Sequence, residues 1–205
     1  MSDNKKIAFD IGNVLVDVHL NKFIDLLKIT GAINLYSEGM QFLEEIQPYQ
    51  DLGLIDIKKS LLKFNLNDPA SRKLIDCWNN ETISFNQKMI DLIVDLQNQN
   101  YDIALLSNIG FNHAKEIRKN EVLNKLKLHF SCEVGARKPT KLFYQSFLLQ
   151  YPDFKGCLFV DDIEENLKMA QNFGFQIYKF DLSSDITKIN LEKEIEKLFM
   201  FIKNK

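Results

Sequence analysis

Arginine is scarce in this chain, with three residues at 72, 118 and 137 among 205. Lysine and arginine together number 26 against 28 aspartates and glutamates, a formal net charge of −2. There is no basic excess to hold a phosphate backbone, so nucleic acid is excluded as the expected partner. Cysteine is equally sparse: Cys77, Cys132 and Cys157 are odd in number and far apart, with no CxxC pair and no Cys/His cluster. That pattern argues against a disulfide framework and against zinc, and predicts buried thiols in a reducing compartment. No apolar run is long enough to cross a bilayer, and no apolar leader precedes Lys6, so the expected setting is the cytoplasm with no membrane partner. Internal repeats and low-complexity linkers are missing as well.

What is present is an ordinary globular composition, 45% hydrophobic and 26% charged, in a chain long enough to bury a core without staples. Short apolar runs at 6–11, 102–107, 128–132, 157–161 and 176–180 read as buried strands, several ending in polar or glycine-rich loops. Helical patterns lie between them. Ser84–Gln87 reads as a capping box before a helix carrying Ile90, Ile93, Val94 and Leu96, and Asp162–Glu165 as a second. Pro139 is expected to open a helix bearing Leu142, Phe143, Phe147 and Leu148, and Gly174 to stop another. Alternating strands and helices predict an α/β fold, a doubly wound parallel sheet covered on both faces. Residues 17–83 break the alternation with helical patterns alone (Phe23/Leu26/Leu27, Met40/Leu43/Ile46, Ile57/Leu61/Leu62) and a turn at 65–69. They read as a helical insert after the first strand, leaving 1–16 and 84–205 as the core. Leu191, Ile195, Leu198 and Phe199 give the last helix an apolar face opposite a solvated charged one.

In an open α/β sheet, ligands bind beyond the carboxyl ends of the strands. Asp10 ends the first strand, Ser107 and Asn108 the second, Asp161 and Asp162 the fourth, and Lys138 follows the third. Three carboxylates, a hydroxyl, an amide and an ammonium on one rim suit Mg2+ and a phosphate group. Each alone is more simply a cap or a loop residue; their joint placement is what points to chemistry. His113, His129 and Trp78 read as packing residues.

These residues carry a resemblance. Phe9-Asp10-Ile-Gly-Asn-Val14, Leu106-Ser107-Asn108, Arg137-Lys138-Pro139 and Val160-Asp161-Asp162 are similar, in order, to the four motifs of the haloacid dehalogenase (HAD) superfamily. The insert stands where that superfamily's C1-type cap stands, and Tyr49–Ile57 resembles the cap segment of its sugar-phosphatase-like subgroup. The resemblance implies a Mg2+-dependent phosphatase acting on a small phosphorylated molecule through an aspartyl-phosphate. Asp10 would be the nucleophile. Asp10, the Gly12 carbonyl and Asp162 would bind the metal, with Asp161 behind them. Ser107, Asn108 and Lys138, with Gly12 and Asn13, would receive the phosphate. The chain would act as a monomer or homodimer.

One position departs from the pattern. Phosphatases of the superfamily usually carry a second aspartate two residues after the nucleophile, as general acid and base; here Gly12 stands in its place. The metal contact needs only a backbone carbonyl, but the acid is lost, a role worth roughly 10²–10⁴-fold. Such a site favours leaving groups that need little protonation, as in anomeric sugar, aryl or acyl phosphates. Asp17 or His19 could supply a proton instead. Two alternatives remain: a catalytically silent phosphate-binding protein, and a dehalogenase, which the paired acids Asp161 and Asp162 disfavour.

Overall fold

The computed structural model describes residues 5–182 and 188–204; residues 1–4, read above for a leader, lie outside it. Five parallel strands form the central sheet: β1 (Lys6–Phe9), β4 (Asp102–Ser107), β5 (Lys127–Phe130), β6 (Leu158–Asp161) and β7 (Gln176–Lys179). Their spatial order is β5-β4-β1-β6-β7. The chain leaves β1 for one side of the sheet and returns to fill the other, so the order reverses beside β1. This is the position at which open α/β sheets form their crevice.

Two-sided burial follows from strand alternation. Ile7 and Phe9, Ile103 and Leu105, and Leu158 and Val160 face one layer, formed with α5 (Gln87–Asn98), α6 (Phe111–Lys119) and α10 (Lys188–Lys203). Ala8, Ala104, Leu106 and Phe159 face the other, against α8 (Lys141–Gln150) and α9 (Glu164–Asn172). The small Ala8 and Ala104 leave room there for Phe143, Tyr144, Phe147 and Phe175, whose rings meet mostly edge to face or tilted.

A third core belongs to the insert. Helices α1 (Leu20–Ile29), α2 (Tyr36–Asp51), α3 (Ile57–Ser60) and α4 (Asp68–Asn80) pack Phe23, Leu27, Phe42, Ile46, Leu74 and Trp78 together. A two-stranded antiparallel ribbon, absent from the sequence reading, closes the base of this unit: β2 (Val16–Val18) pairs with β3 (Ile83–Phe85). Each strand has three residues, too few to leave an alternating signature.

Several local expectations are corrected. Ser84 is consumed by the ribbon, and Asn86 caps α5 by accepting from the Met89 amide. Cys132 lies past the third strand, in the short helix α7 (Ser131–Val134). Pro139 stands before α8, whose N-cap is Thr140, and Leu142 faces outward. Met40 and Leu62 are likewise exposed. Asp162 does not cap α9. The Asp161 carboxylate accepts from the Ile163 amide at 2.8 Å and makes that turn, which frees Asp162.

Phe147 is fully buried among the rings of Tyr151, Phe154 and Phe175. Phe147→Ala is expected to cost about 3–5 kcal/mol in urea-induced unfolding. A loss below about 1 kcal/mol would mean that this aromatic layer does not hold the sheet.

Candidate active site

The strand ends at the centre of the sheet place the polar groups. The Asp10 amide donates to the Val160 carbonyl at 2.8 Å, extending β1 by one residue and fixing the carboxylate at the rim. Residues 11–16 then fold into a tight turn, with three amides on the Ile11 carbonyl. Asn13 occupies the left-handed region at φ 52°, which asparagine tolerates better than most residues, and its amide donates to Asp162 Oδ2 at 3.2 Å.

Lys138 is the organising cation, with 1% of its surface exposed. Its ammonium donates to Asp161 Oδ2 at 2.6 Å and lies 2.9 Å from Asp10 Oδ1. Asn108 holds the lysine backbone on both sides, accepting from its amide at 2.7 Å and donating to its carbonyl at 2.9 Å. The Asn108 amide thereby supports Lys138 with one of its two N–H groups, and it also borders the cavity. Asp161 is fully buried and accepts from Ile163 N, from both Lys138 and Asn166, and has no oxygen to spare. Asp162 is partly exposed and, among the described residues, accepts a side-chain hydrogen bond from Asn13 alone.

Burial pushes the Asp10 carboxyl up to about 7; Lys138 opposes this, and Asp161 and Asp162 add to it. Burial also raises Asp162, with Asn13 opposing. For Lys138, burial works against the charge, but Asp10 and Asp161 outweigh it and hold the ammonium above its ordinary range. These directions describe a rim in which three carboxylates face one ammonium, leaving an excess of negative charge. Oxygens of Asp10, Asp161 and Asp162 come within 4.8 Å of one another, and buried Asp10 Oδ1 accepts no hydrogen bond of proper geometry despite the nearby lysine. With Asp161 spent on Lys138, Asn166 and the Ile163 amide, the oxygens of Asp10 and Asp162 are the ones that suit a small divalent cation such as Mg2+.

Asp10, Gly12, Asn13, Ser107, Asn108, Lys138 and Asp162 all border one cavity of about 320 Å3. A Cβ on Gly12 would meet only Val18 Cγ2, at 3.8 Å, and the residue's φ is ordinary, so the backbone does not require glycine there. Asp17 and His19 do not line the cavity; His19 pairs with Ser84 Oγ across the ribbon. His129 packs among aromatic rings away from the rim, where burial lowers its pKa. His113 packs too, stacked on Trp78 and bonded to Thr82 Oγ1 and the Trp78 carbonyl, yet both rings also form cavity wall.

The insert supplies the opposite wall. Leu43, Ile46 and Trp78 make it largely apolar, and Asp51, at the end of α2, brings a carboxylate. Gly53 permits this approach: its φ is +70°, and a Cβ there would fall 2.4 Å from the Cys132 carbonyl. Asp51 and its neighbour Arg137 escaped the sequence reading. Their only signal was position, inside the segment resembling a cap and beside Lys138.

No family model matches the sequence, and neither does any curated protein. Solved structures do. A HAD family enzyme from Bacteroides thetaiotaomicron, in complex with magnesium and inorganic phosphate, is 25% identical with a TM-score of 0.76, over 91% of this chain and 98% of that one. A HAD phosphatase from Thermococcus onnurineus is 16% identical with a TM-score of 0.65, over 95% and 97%. L-2-haloacid dehalogenase from Xanthobacter autotrophicus, with chloropropionic acid covalently bound, is 15% identical with a TM-score of 0.61, over 97% and 86%. Phosphatase and dehalogenase thus share this architecture, and fold alone does not choose between them. Architecture, motif order and the rim built from those motifs together assign the chain to the HAD superfamily.

Proposed function

We propose that the chain is a Mg2+-dependent phosphomonoesterase acting on a small phosphorylated metabolite, with the helical insert, residues 17–83, as a C1-type cap over the site. One observation carries the reading. Asp10 and Asp162 bring carboxylate oxygens within 4.8 Å of each other, beside the buried ion pairs that Lys138 makes with Asp10 and Asp161. Displacing halide with an aspartate requires no such metal set. The magnesium and phosphate bound by the Bacteroides enzyme support the same choice.

Asp10, the Gly12 carbonyl and Asp162 would hold Mg2+, which would neutralise charge on the phosphate and keep Asp10 ionised. Asp10 attacks phosphorus, the leaving oxygen departs, and water then hydrolyses the aspartyl-phosphate to inorganic phosphate. Lys138 stabilises charge on the phosphoryl oxygens, and the buried Ser107 hydroxyl, bordering the cavity, receives one of them. Asp161 and Asn108 orient Lys138 from behind. The largely apolar cap wall, over the phosphate, would help to exclude water during transfer. Gly12 is the single feature favouring a silent phosphate-binding protein instead.

Wild-type protein is expected to release phosphate from para-nitrophenyl phosphate with Mg2+ and not with a chelator, and Asp10→Asn to lose at least about 10³-fold. Equal rates in the two proteins would sink the assignment, whereas tight vanadate binding without turnover would select the silent binder. Gly12→Asp is expected to fold normally, given its open surroundings, and to raise turnover of alkyl esters about 10²-fold while helping aryl esters less. No change for alkyl esters would mean that leaving-group protonation does not limit the reaction. Lys138→Met leaves buried carboxylates without their cation and is expected to cost about 3–5 kcal/mol in denaturant titration without metal.

A further inference from the structure

The cap wall of the cavity holds a carboxylate whose surroundings do not satisfy it. Asp51 is 4% exposed, and its Oδ2 accepts no hydrogen bond among the described residues. Arg137 Nη2 comes within 3.2 Å, but without hydrogen-bond geometry, and Arg137 Nε is itself buried without a partner. Burial lifts the Asp51 carboxyl to about 6, against the pull of Arg137 and then Lys138. The nearby cation therefore does not offset the loss of water. Helix electrostatics add to the cost, because Asp51 is the last residue of α2, at the end that favours positive charge. Gln50 is bonded to Ser60, and His113 to Thr82 and Trp78, so neither can turn to it without loss.

A buried acceptor that lacks a donor, in the wall of a ligand cavity, is satisfied when the ligand supplies that donor. We propose that Asp51 is a specificity-determining residue that accepts a hydrogen bond from the leaving group, so that the substrate is a phosphomonoester bearing a hydroxyl or ammonium donor on an otherwise apolar body. Its phosphate lies on Asp10 and Lys138, its apolar part against Leu43, Ile46 and Trp78, and its donor on Asp51. A cavity of about 320 Å3 limits that body to roughly one ring or a short chain. An ester without the donor leaves the carboxylate stranded when the cap closes, and is discriminated against for that reason.

This inference rests on the phosphomonoester reading, and the test separates the two. Three aryl phosphates of matched shape are compared: 4-ethylphenyl, 4-(hydroxymethyl)phenyl and 4-(aminomethyl)phenyl phosphate. Dissociation constants are read from the fluorescence of Trp78, the single tryptophan, which lines the cavity, and kcat/KM is read from phosphate release. Wild-type protein is expected to favour one or both donor-bearing esters over the ethyl compound by at least about tenfold in both readouts. Asp51→Ala is expected to bring that preference to within about threefold. Asp51→Asn, which keeps an acceptor but not the charge, is expected to lose the ammonium preference and retain part of the hydroxyl one. A wild type that does not discriminate, or a preference that survives Asp51→Ala, would overturn the proposal. The wild-type comparison decides even where a variant fails to fold. If no ester is hydrolysed the phosphatase reading has failed, and the binding ratio alone still decides this one.

Discussion

A lysine with 1% of its surface exposed, set between two buried aspartates, is the constraint around which the rim is arranged. Removing an ammonium from water costs several kcal/mol and is tolerated when oxygens replace the lost hydration. Asp10 and Asp161 supply those oxygens. They lie at the ends of β1 and β6, neighbours in the sheet only because the chain doubles back beside β1. Asn108, just past β4 on the other side of β1, fixes the lysine backbone. Three adjacent strands therefore meet at one cation, and the strand order of the sheet is what the site chemistry needs.

The excess of negative charge at the rim has the same origin. Two aspartates already exceed the single charge of Lys138, and Asp162, with its pKa raised by burial, adds a third acid. The rim is electrostatically incomplete, with one shared direction of relief: more positive charge between Asp10 and Asp162. The cap wall shows a smaller version of this deficit, in which Asp51 remains unsatisfied beside Arg137. The two deficits differ in kind, since the first suits an ion and the second a hydrogen-bond donor.

How much of this was legible in the sequence depended on how local the cause was. β4 was read residue for residue, because Ile103, Ala104, Leu105 and Leu106 are buried on both faces and leave an unbroken apolar run. The rim acids were legible because each ends such a run. The ribbon was not, since three residues per strand carry no period. The place of Asn108 at a strand end is visible in the sequence, whereas its hydrogen bonds to a backbone 30 positions away are not. Asp51 was invisible for the same reason. Nothing in Tyr49–Gly53 says that Gly53 will press against the Cys132 carbonyl and carry a carboxylate into the cavity.

The ribbon has a bearing on how the protein tolerates change. Val16 to Val18 lie opposite Phe85 to Ile83, and the His19 amide donates to the Thr82 carbonyl at 2.8 Å. The chain therefore leaves and re-enters the core at nearly one point. Lengthening or shortening the segment between those ends changes the entropy of closing it only logarithmically, by roughly 0.6 kcal/mol per doubling. The core meets that segment as a loop with a fixed footprint, whatever its length. Where the segment does not touch the core it can be extended or trimmed with little penalty to the sheet, so the wall that reads the leaving group can diverge while the rim that reads phosphate stays as it is.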